Sequence, residues 1–350
     1  MTENVTQYGI GIVGTGHGAR VVAPAFSLDT RARICGFTAA RLENAASAVA
    51  ELGTGQAYAH WRDLIADPAI DIVAIAVPPA HVEDIAIAAV HAGKAIFLEK
   101  PLAAGITGAR NISDAVNGAD TPNVVDFIFP ELPVWQTALK YLHGNTLGRI
   151  RHVGVHWTVM TYANKHLLDS WKIRPEDGGG AVFNFGAHTF HYLELMIGPI
   201  RRVFVRRDTA SIDTRWLLEV TFDNDTTGEI LLDDGSEDVR HEINITGDAG
   251  HMALVNYSTD YAHGFSGEIS LSDGSTPLQF ATPLPPSMDN TDGRIAATAG
   301  LASRLLDGIE CGEPASPNCT DGLRVQILLD CTSRSNENHA WVDVPPGLHE

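Results

Sequence analysis

Hydrophobic positions follow two different rhythms along this chain, and the change between them divides it. Over residues 1–125, short apolar runs alternate with stretches in which apolar residues recur every three or four positions, the pattern of strands alternating with helices. The runs 8–13 (YGIGIV), 33–38 (RICGFT), 70–77 (IDIVAIAV), 95–98 (AIFL) and Val124-Val125 read as strands. IDIVAIAV is almost continuously apolar, as a parallel strand covered on both faces must be. Helical periodicity follows over 19–27, over 42–52 before Gly53, and over 81–92 before Gly93. Pro24 lies deeper in the first of these than a first-turn proline should, which predicts a bent or shortened helix. A right-handed, doubly wound parallel sheet is the economical α/β topology for this part.

From Ile150 the period drops to two. Val153, Val155, Trp157 and Val159 alternate with polar or small residues, and similar runs recur at 202–206, 216–222, 228–232, 242–246, 251–257 and 268–271. Turns such as Asp223-Asn224-Asp225 and Asp273-Gly274 link them as hairpins, which predicts an antiparallel sheet. A proline-rich loop is expected at 282–292, then helices at 294–308 and 320–336 that cover the sheet or return to the first domain. Residues 126–350 are thus expected to form a second, α+β domain on a large, open, mostly antiparallel sheet.

The candidate chemistry collects at the strand ends. After the first strand, Gly14, Gly16 and Ala19 match the G-x-G-x-x-G/A spacing that lets backbone approach a pyrophosphate, with Thr15, His17 and Gly18 completing the turn. This predicts a Rossmann dinucleotide-binding domain. At the end of the second strand NAD enzymes place a carboxylate for the ribose hydroxyls; here Thr38, Ala39, Ala40 and Arg41 offer none, and a hydroxyl beside an arginine favours NADP over NAD. Val77 and Pro78 stop the third run at the ligand-binding edge, and His81 opens the next helix. The run 95–98 delivers Glu99, Lys100 and Pro101 to the same edge. An ammonium there can hydrogen-bond a carbonyl or hydroxyl oxygen and pass a proton; the alternative is a surface lysine paired with Glu99.

The second candidate is 178–197 (GGGAVFNFGAHTFHYLELMI), where three glycines precede an apolar helix. If that helix begins near Ala181, then Asn184, His188 and His191 fall at i, i+4 and i+7 on one face. Such a polar stripe must be solvated, hydrogen-bonded or turned to a cavity, which makes His188 an acid/base candidate or a structural histidine. With no acidic or cysteine ligand nearby in sequence, no metal site is expected. Trp171 and Lys172, just before the glycines, either close over cofactor or substrate or, in the case of Trp171, anchor the core.

Composition narrows the partners. A formal charge of −19 argues against nucleic acid and anionic membranes, and Arg201, Arg202, Arg206 and Arg207 merely bracket one apolar strand. The segment MTENVTQ lacks the basic-then-apolar order of a leader and no stretch approaches the length of a membrane span, so a cytoplasmic protein is expected. Cys35, Cys311, Cys319 and Cys331 have no C-x-x-C spacing and read as reduced structural thiols. An open sheet with an apolar face predicts a homo-oligomer, dimer or tetramer.

Taken together, GTGHGA at 14–19, EKP at 99–101 and GGGAVFNFGAH at 178–188 appear in an order and spacing that resembles the Gfo/Idh/MocA oxidoreductases, and the domain plan extends the resemblance over essentially the whole chain. The resemblance implies hydride transfer between NADP or NAD and a hydroxyl or keto carbon of a sugar, sugar derivative or cyclitol. It also implies that Lys100 and His188 flank the reacting carbon. His188 would exchange the hydroxyl proton while Lys100 orients the oxygen, or the reverse, and Asn184 would fix a neighbouring hydroxyl. In the family's D-x-G-x-H segment the aspartate is here Asn184, and the acidic residue often found three positions after the histidine is His191. Asparagine hydrogen-bonds but holds no charge. Two other behaviours exist in that family: a non-catalytic dinucleotide-binding sensor, and an enzyme that uses bound cofactor in an internal redox cycle.

Overall fold

The computed structural model describes residues 7–174, 177–206, 214–260, 263–275, 277–280 and 292–346. Most of the expected loop at 282–292, and Arg207, lie outside the described residues. The chain forms two compact units, Met1–Ile128 with Arg294–Leu323, and Phe129–Gly293 with Arg324–Glu350.

In the first unit β1 (Tyr8–Val13), β2 (Ala32–Thr38), β3 (Gln56–Tyr58), β4 (Ile72–Ile75), β5 (Ala95–Leu98) and β6 (Asn123–Val125) form a six-stranded parallel sheet in the order β3-β2-β1-β4-β5-β6. The chain builds outward from β1 to β3, then returns to add β4 on the other side of β1. The order reverses between β1 and β4, so the connections that leave their paired carboxyl ends run in opposite directions, the place where doubly wound sheets bind ligands. Every residue of β4 is buried, as its unbroken apolar sequence requires. Five helices, α1 (Ala23–Ser27), α2 (Leu42–Leu52), α3 (Trp61–Ala66), α4 (Val82–His91) and α5 (Ile106–Gly118), connect these strands. Gly53 ends α2 as expected, adopting φ 71° and donating its N–H to the Val49 carbonyl.

In the second unit nine strands run β14-β13-β12-β11-β7-β10-β9-β8-β15. They are β7 (Ile150–Met160), β8 (Ile200–Arg206), β9 (Arg215–Phe222), β10 (Thr227–Asp233), β11 (Gly235–Gly247), β12 (Gly250–Asn256), β13 (Ser266–Leu271), β14 (Leu278–Phe280) and β15 (Val342–Asp343). All neighbours are antiparallel except β7 with β10, so the expected open, mostly antiparallel sheet is what forms. Alternation sets its faces: Val153, Val155 and Trp157 are buried, while His152, Gly154 and His156 take the opposite side. The helices of this unit include α6 (Pro133–His143), α7 (Tyr162–Lys165) and α8 (Ala187–Ile197).

Two long helices precede β15, α9 (Arg294–Cys311) and α10 (Cys319–Asn338). The first unit takes α9, so it is not the simple stretch 1–125. Arg31 binds Asp29 at 2.7 Å and reaches Asp307 and Glu310 at 2.8 Å each, while the Ser303 hydroxyl donates to Asp29 at 2.9 Å. Helical periodicity reveals an apolar face but not the surface it docks on. Among the described residues no helix is long and apolar enough to cross a membrane.

The α10 residue Arg324 ties the second unit together. Its guanidinium donates to both Glu194 oxygens, at 2.7 to 3.1 Å, and to the carbonyls of Ile200 and Pro345, while Glu194 also accepts the Ile200 N–H at 2.8 Å. Arg324→Met keeps the stem but strands Glu194, so this variant is expected to lose about 2 kcal/mol of stability, read from its denaturant midpoint.

Candidate functional site

The three glycines of the turn have different reasons to be glycine. Gly14 follows β1 with φ +103°, donates its N–H to the Thr38 carbonyl at 2.8 Å, and has no room for a Cβ against the Ala76 carbonyl. A Cβ on Gly18 would lie 2.8 Å from Ile12 Cγ2. A Cβ on Gly16 would meet nothing within 4 Å. The fold therefore requires Gly14 and Gly18, whereas no packing within the described chain requires glycine at position 16. A pyrophosphate brought against backbone N–H groups fits that space.

After the turn, Gly18–Val22 form a π-helical turn, with the Ala23 N–H bonded to the Gly18 carbonyl, and α1 follows. This accounts for Pro24: the wider turn restarts the helix, and the proline occupies the first turn of the new segment, where its missing N–H costs little. Thr38 is buried at the end of β2, with its carbonyl engaged by Gly14, while Arg41 is exposed just before α2. Val77 and Pro78 are half-buried beyond β4, and His81 is exposed at the end of the short turn Pro79–His81.

Glu99 and Lys100 are half-buried at the carboxyl end of β5, and the Lys100-Pro101 peptide is cis. The Glu99 carboxylate takes the His17 ring as a partner, Nε2 to Oε1 at 2.8 Å, and Asp126 Oδ2 lies 3.7 Å from the same nitrogen. Thr298 donates its hydroxyl to Asp126, which is 2% exposed. Burial alone would lower the His17 pKa, but the charge of Glu99 and hydrogen bonds to Asp126 and Glu99 hold it up at about 9. Burial likewise opposes charge on both acids. The His17 cation nevertheless holds Glu99 below the usual carboxylate range, whereas burial and the Glu99 charge push Asp126 above it. Sequence reading missed Asp126, although it follows β6 as Glu99 follows β5, and the same strand-end argument would have found it.

In the second unit the glycine run leads into a second π-helical turn, Val182–Gly186, and then α8. The expected i, i+4, i+7 stripe presumes an unbroken α-helix; the wide turn breaks that register between Asn184 and His188. Asn184 Nδ2 donates to the Lys172 carbonyl at 2.9 Å, which also accepts the Gly180 N–H at 2.7 Å. A Cβ on Gly179 would strike the Trp171 carbonyl. The short turn Trp171–Ile173 is thus tied to the glycines, with Trp171 half-buried and Lys172 exposed. His188 is 8% exposed, its ring edge-on to Phe129 at 5.0 Å, and His191 is half-buried.

Behind His188 lies an aromatic cluster that the sequence reading did not single out. Trp157 is sandwiched between Phe185, at 4.4 Å, and His241, at 4.0 Å, both nearly parallel to it. His241 Nε2 lies 3.2 Å from the Tyr192 hydroxyl, which donates to Thr189, which in turn donates to the Phe185 carbonyl. Burial drives the His241 pKa down to about 3, so this ring is neutral. The available signal was a histidine on the buried phase of β11, between Val239 and Ile243.

Comparison with known proteins places this geometry in a family. The profile described as "Oxidoreductase family, NAD-binding Rossmann fold" matches residues 8–127, and "GFO/IDH/MocA C-terminal domain" matches residues 135–253. The chain belongs to the Gfo/Idh/MocA oxidoreductase family. The levoglucosan dehydrogenase of Pseudarthrobacter phenanthrenivorans is 27% identical over 395 residues, covering 98% of each chain. The D-xylose 1-dehydrogenase (NADP(+)) 2 of Haloferax volcanii is 29% identical over 225 residues, covering 63% of this chain and 67% of its own. A solved levoglucosan dehydrogenase in complex with NADH and levoglucosan superimposes with a TM-score of 0.87 at 22% identity, over 97% of this chain and 100% of its own, and so shares the fold. Members of the Gfo/Idh/MocA family thus match this chain in both units.

The site itself sets two expected outcomes. Gly16→Ala should leave the unfolding midpoint within about 1 kcal/mol of wild type but weaken NADPH or NADH binding at least about tenfold, whereas Gly14→Ala should cost about 2 kcal/mol or more, from its backbone angle and the Ala76 clash. His241 contributes stability in full above its unfolded pKa near 6.5, and that contribution is lost as pH falls toward about 3. At pH 5 the loss amounts to about 2 kcal/mol; His241→Phe should remove this part of the acid limb, measured as the change in stability between pH 7.5 and 5.

Proposed function

We propose that this family member is a dehydrogenase or reductase that moves a hydride between NADP, in preference to NAD, and a hydroxyl or keto carbon of a sugar, sugar derivative or cyclitol. The observation that carries the reading is the space left by Gly16 on the sheet edge that also bears Lys100. The substrate class draws on the names of the levoglucosan and xylose dehydrogenases it resembles. The NADP preference draws on Thr38 and Arg41, with no carboxylate at the end of β2.

When bound, the nicotinamide supplies or accepts the hydride. The protein's residues do the rest. The turn 14–18 holds the pyrophosphate through its N–H groups. Lys100 orients and polarises the substrate oxygen, and His188, in its dry aromatic surround, exchanges the hydroxyl proton. Asn184 contributes as a spacer that steadies the Lys172 backbone, with no charge to give to a proton relay.

Following reduced-nicotinamide absorbance with NADP or NAD and a panel of aldoses, anhydrosugars and inositols tests this reading. Lys100→Met and His188→Asn should each lower kcat/KM by about a hundredfold or more while dinucleotide affinity stays within a few-fold. A Lys100→Met enzyme within a few-fold of wild type would sink the assignment. Arg41→Ala should erode the preference for NADPH over NADH in a binding titration.

A further inference from the structure

Between Val13 and Arg20, the glycine-rich turn carries one large side chain, His17, in the sequence GTGHGA. A turn built of glycine, threonine and alanine has little to hold it in one shape, and flexible backbone loses the most freedom when a ligand orders it. His17 supplies the missing hold. In the sheet order β1 and β5 are separated by β4, so the ring reaches from the turn past the end of β4 to Glu99 and Asp126. The three side chains grade inward, with 27%, 18% and 1% of their surfaces exposed for His17, Glu99 and Asp126, and Thr298 from α9 closes the buried end.

We infer that His17 is a positioning residue for the dinucleotide: pinned to Glu99 and Asp126, it holds the glycine-rich turn in its phosphate-receiving shape before the ligand arrives. The inference rests on the reading that this turn takes a dinucleotide. A turn already ordered binds more tightly because the ordering cost falls in folding rather than in binding. The same contact couples the turn to the residue that precedes Lys100. The titratable groups facing the His17 ring are Glu99 and Asp126, and Lys100 acts on Glu99. Because the His17 pKa is raised to about 9, its hold is complete below the free-histidine value near 6.5 and is lost as pH rises through about 9. If the contact were incidental, neither affinity nor its pH dependence would track residue 17.

The test is a binding titration of NADPH and NADH, by nucleotide fluorescence, against wild type, His17→Phe and His17→Gln from about pH 6.5 to about pH 10, with thermal unfolding alongside. His17→Phe keeps the ring's bulk without its hydrogen bonds; His17→Gln keeps an N–H donor without charge. At pH 7 the Kd of His17→Phe should rise about tenfold or more and that of His17→Gln by less, the amide giving partial rescue. Wild-type affinity should weaken between about pH 8 and about pH 10, and both variants should be flat over that window. Variants that bind like wild type, or that share its alkaline limb, would overturn the inference. If His17→Phe does not fold, His17→Gln against the wild-type profile decides. A wild type that binds neither nucleotide overturns the functional reading and this inference together, whereas normal wild-type binding with indifferent variants overturns this inference alone.

Discussion

The first unit depends on bare backbone at one point. The Gly14 N–H reaches the Thr38 carbonyl, and the Ala76 carbonyl occupies the space where any side chain on Gly14 would stand. Three strand ends, those of β1, β2 and β4, meet there. Any added carbon would wedge them apart, and with them the Gly16 opening and the register of β5, whose next residue Glu99 hangs its N–H on the Ile75 carbonyl of β4. Steric exclusion, rather than an attractive contact, positions the edge on which Lys100 stands.

A second feature is common to the two glycine-rich segments. Each enters its helix through a π-helical turn, Gly18–Val22 in one unit and Val182–Gly186 in the other. Such a turn carries an extra residue and rotates the backbone before it relative to the helix after it. It lets glycine-rich backbone remain close to a strand or neighbouring loop while the helix beyond keeps its apolar face packed, as Phe190, Tyr192 and Leu193 do in α8. The cost is a few weaker backbone hydrogen bonds at the helix start.

The sequence was most legible where one physical rule acted alone. Burial on both faces made β4 visible, alternation gave β7 through β13 nearly to their ends save for the first half of β11, and Gly53 marked the stop of α2. Short elements such as β3 and β14, three residues each, carry too little pattern to stand out. The site divided in the same way. Gly14, Gly16 and the EKP residues announced themselves by spacing, while Asp126, Tyr192 and His241 acquire their meaning from neighbours distant in sequence. The shortened helix that Pro24 predicted is what forms, whereas the Asn184 stripe misled, because a helical wheel assumes 3.6 residues per turn throughout and Asn184 lies in a turn that does not obey it.

The discontinuity of the first unit bears on how the protein is made. Arg31 finds Asp307 and Glu310, and Asp126 its hydroxyl partner, only on α9, and the Val125 N–H finds its acceptor at Pro317. During synthesis the parallel sheet therefore emerges long before the helix that covers one of its flanks, and the whole intervening β-rich segment must leave the ribosome first. Until then the nascent first unit carries an uncovered apolar flank and a buried acid without its hydroxyl partner, so the interval before α9 arrives is when this chain most needs protection from aggregation.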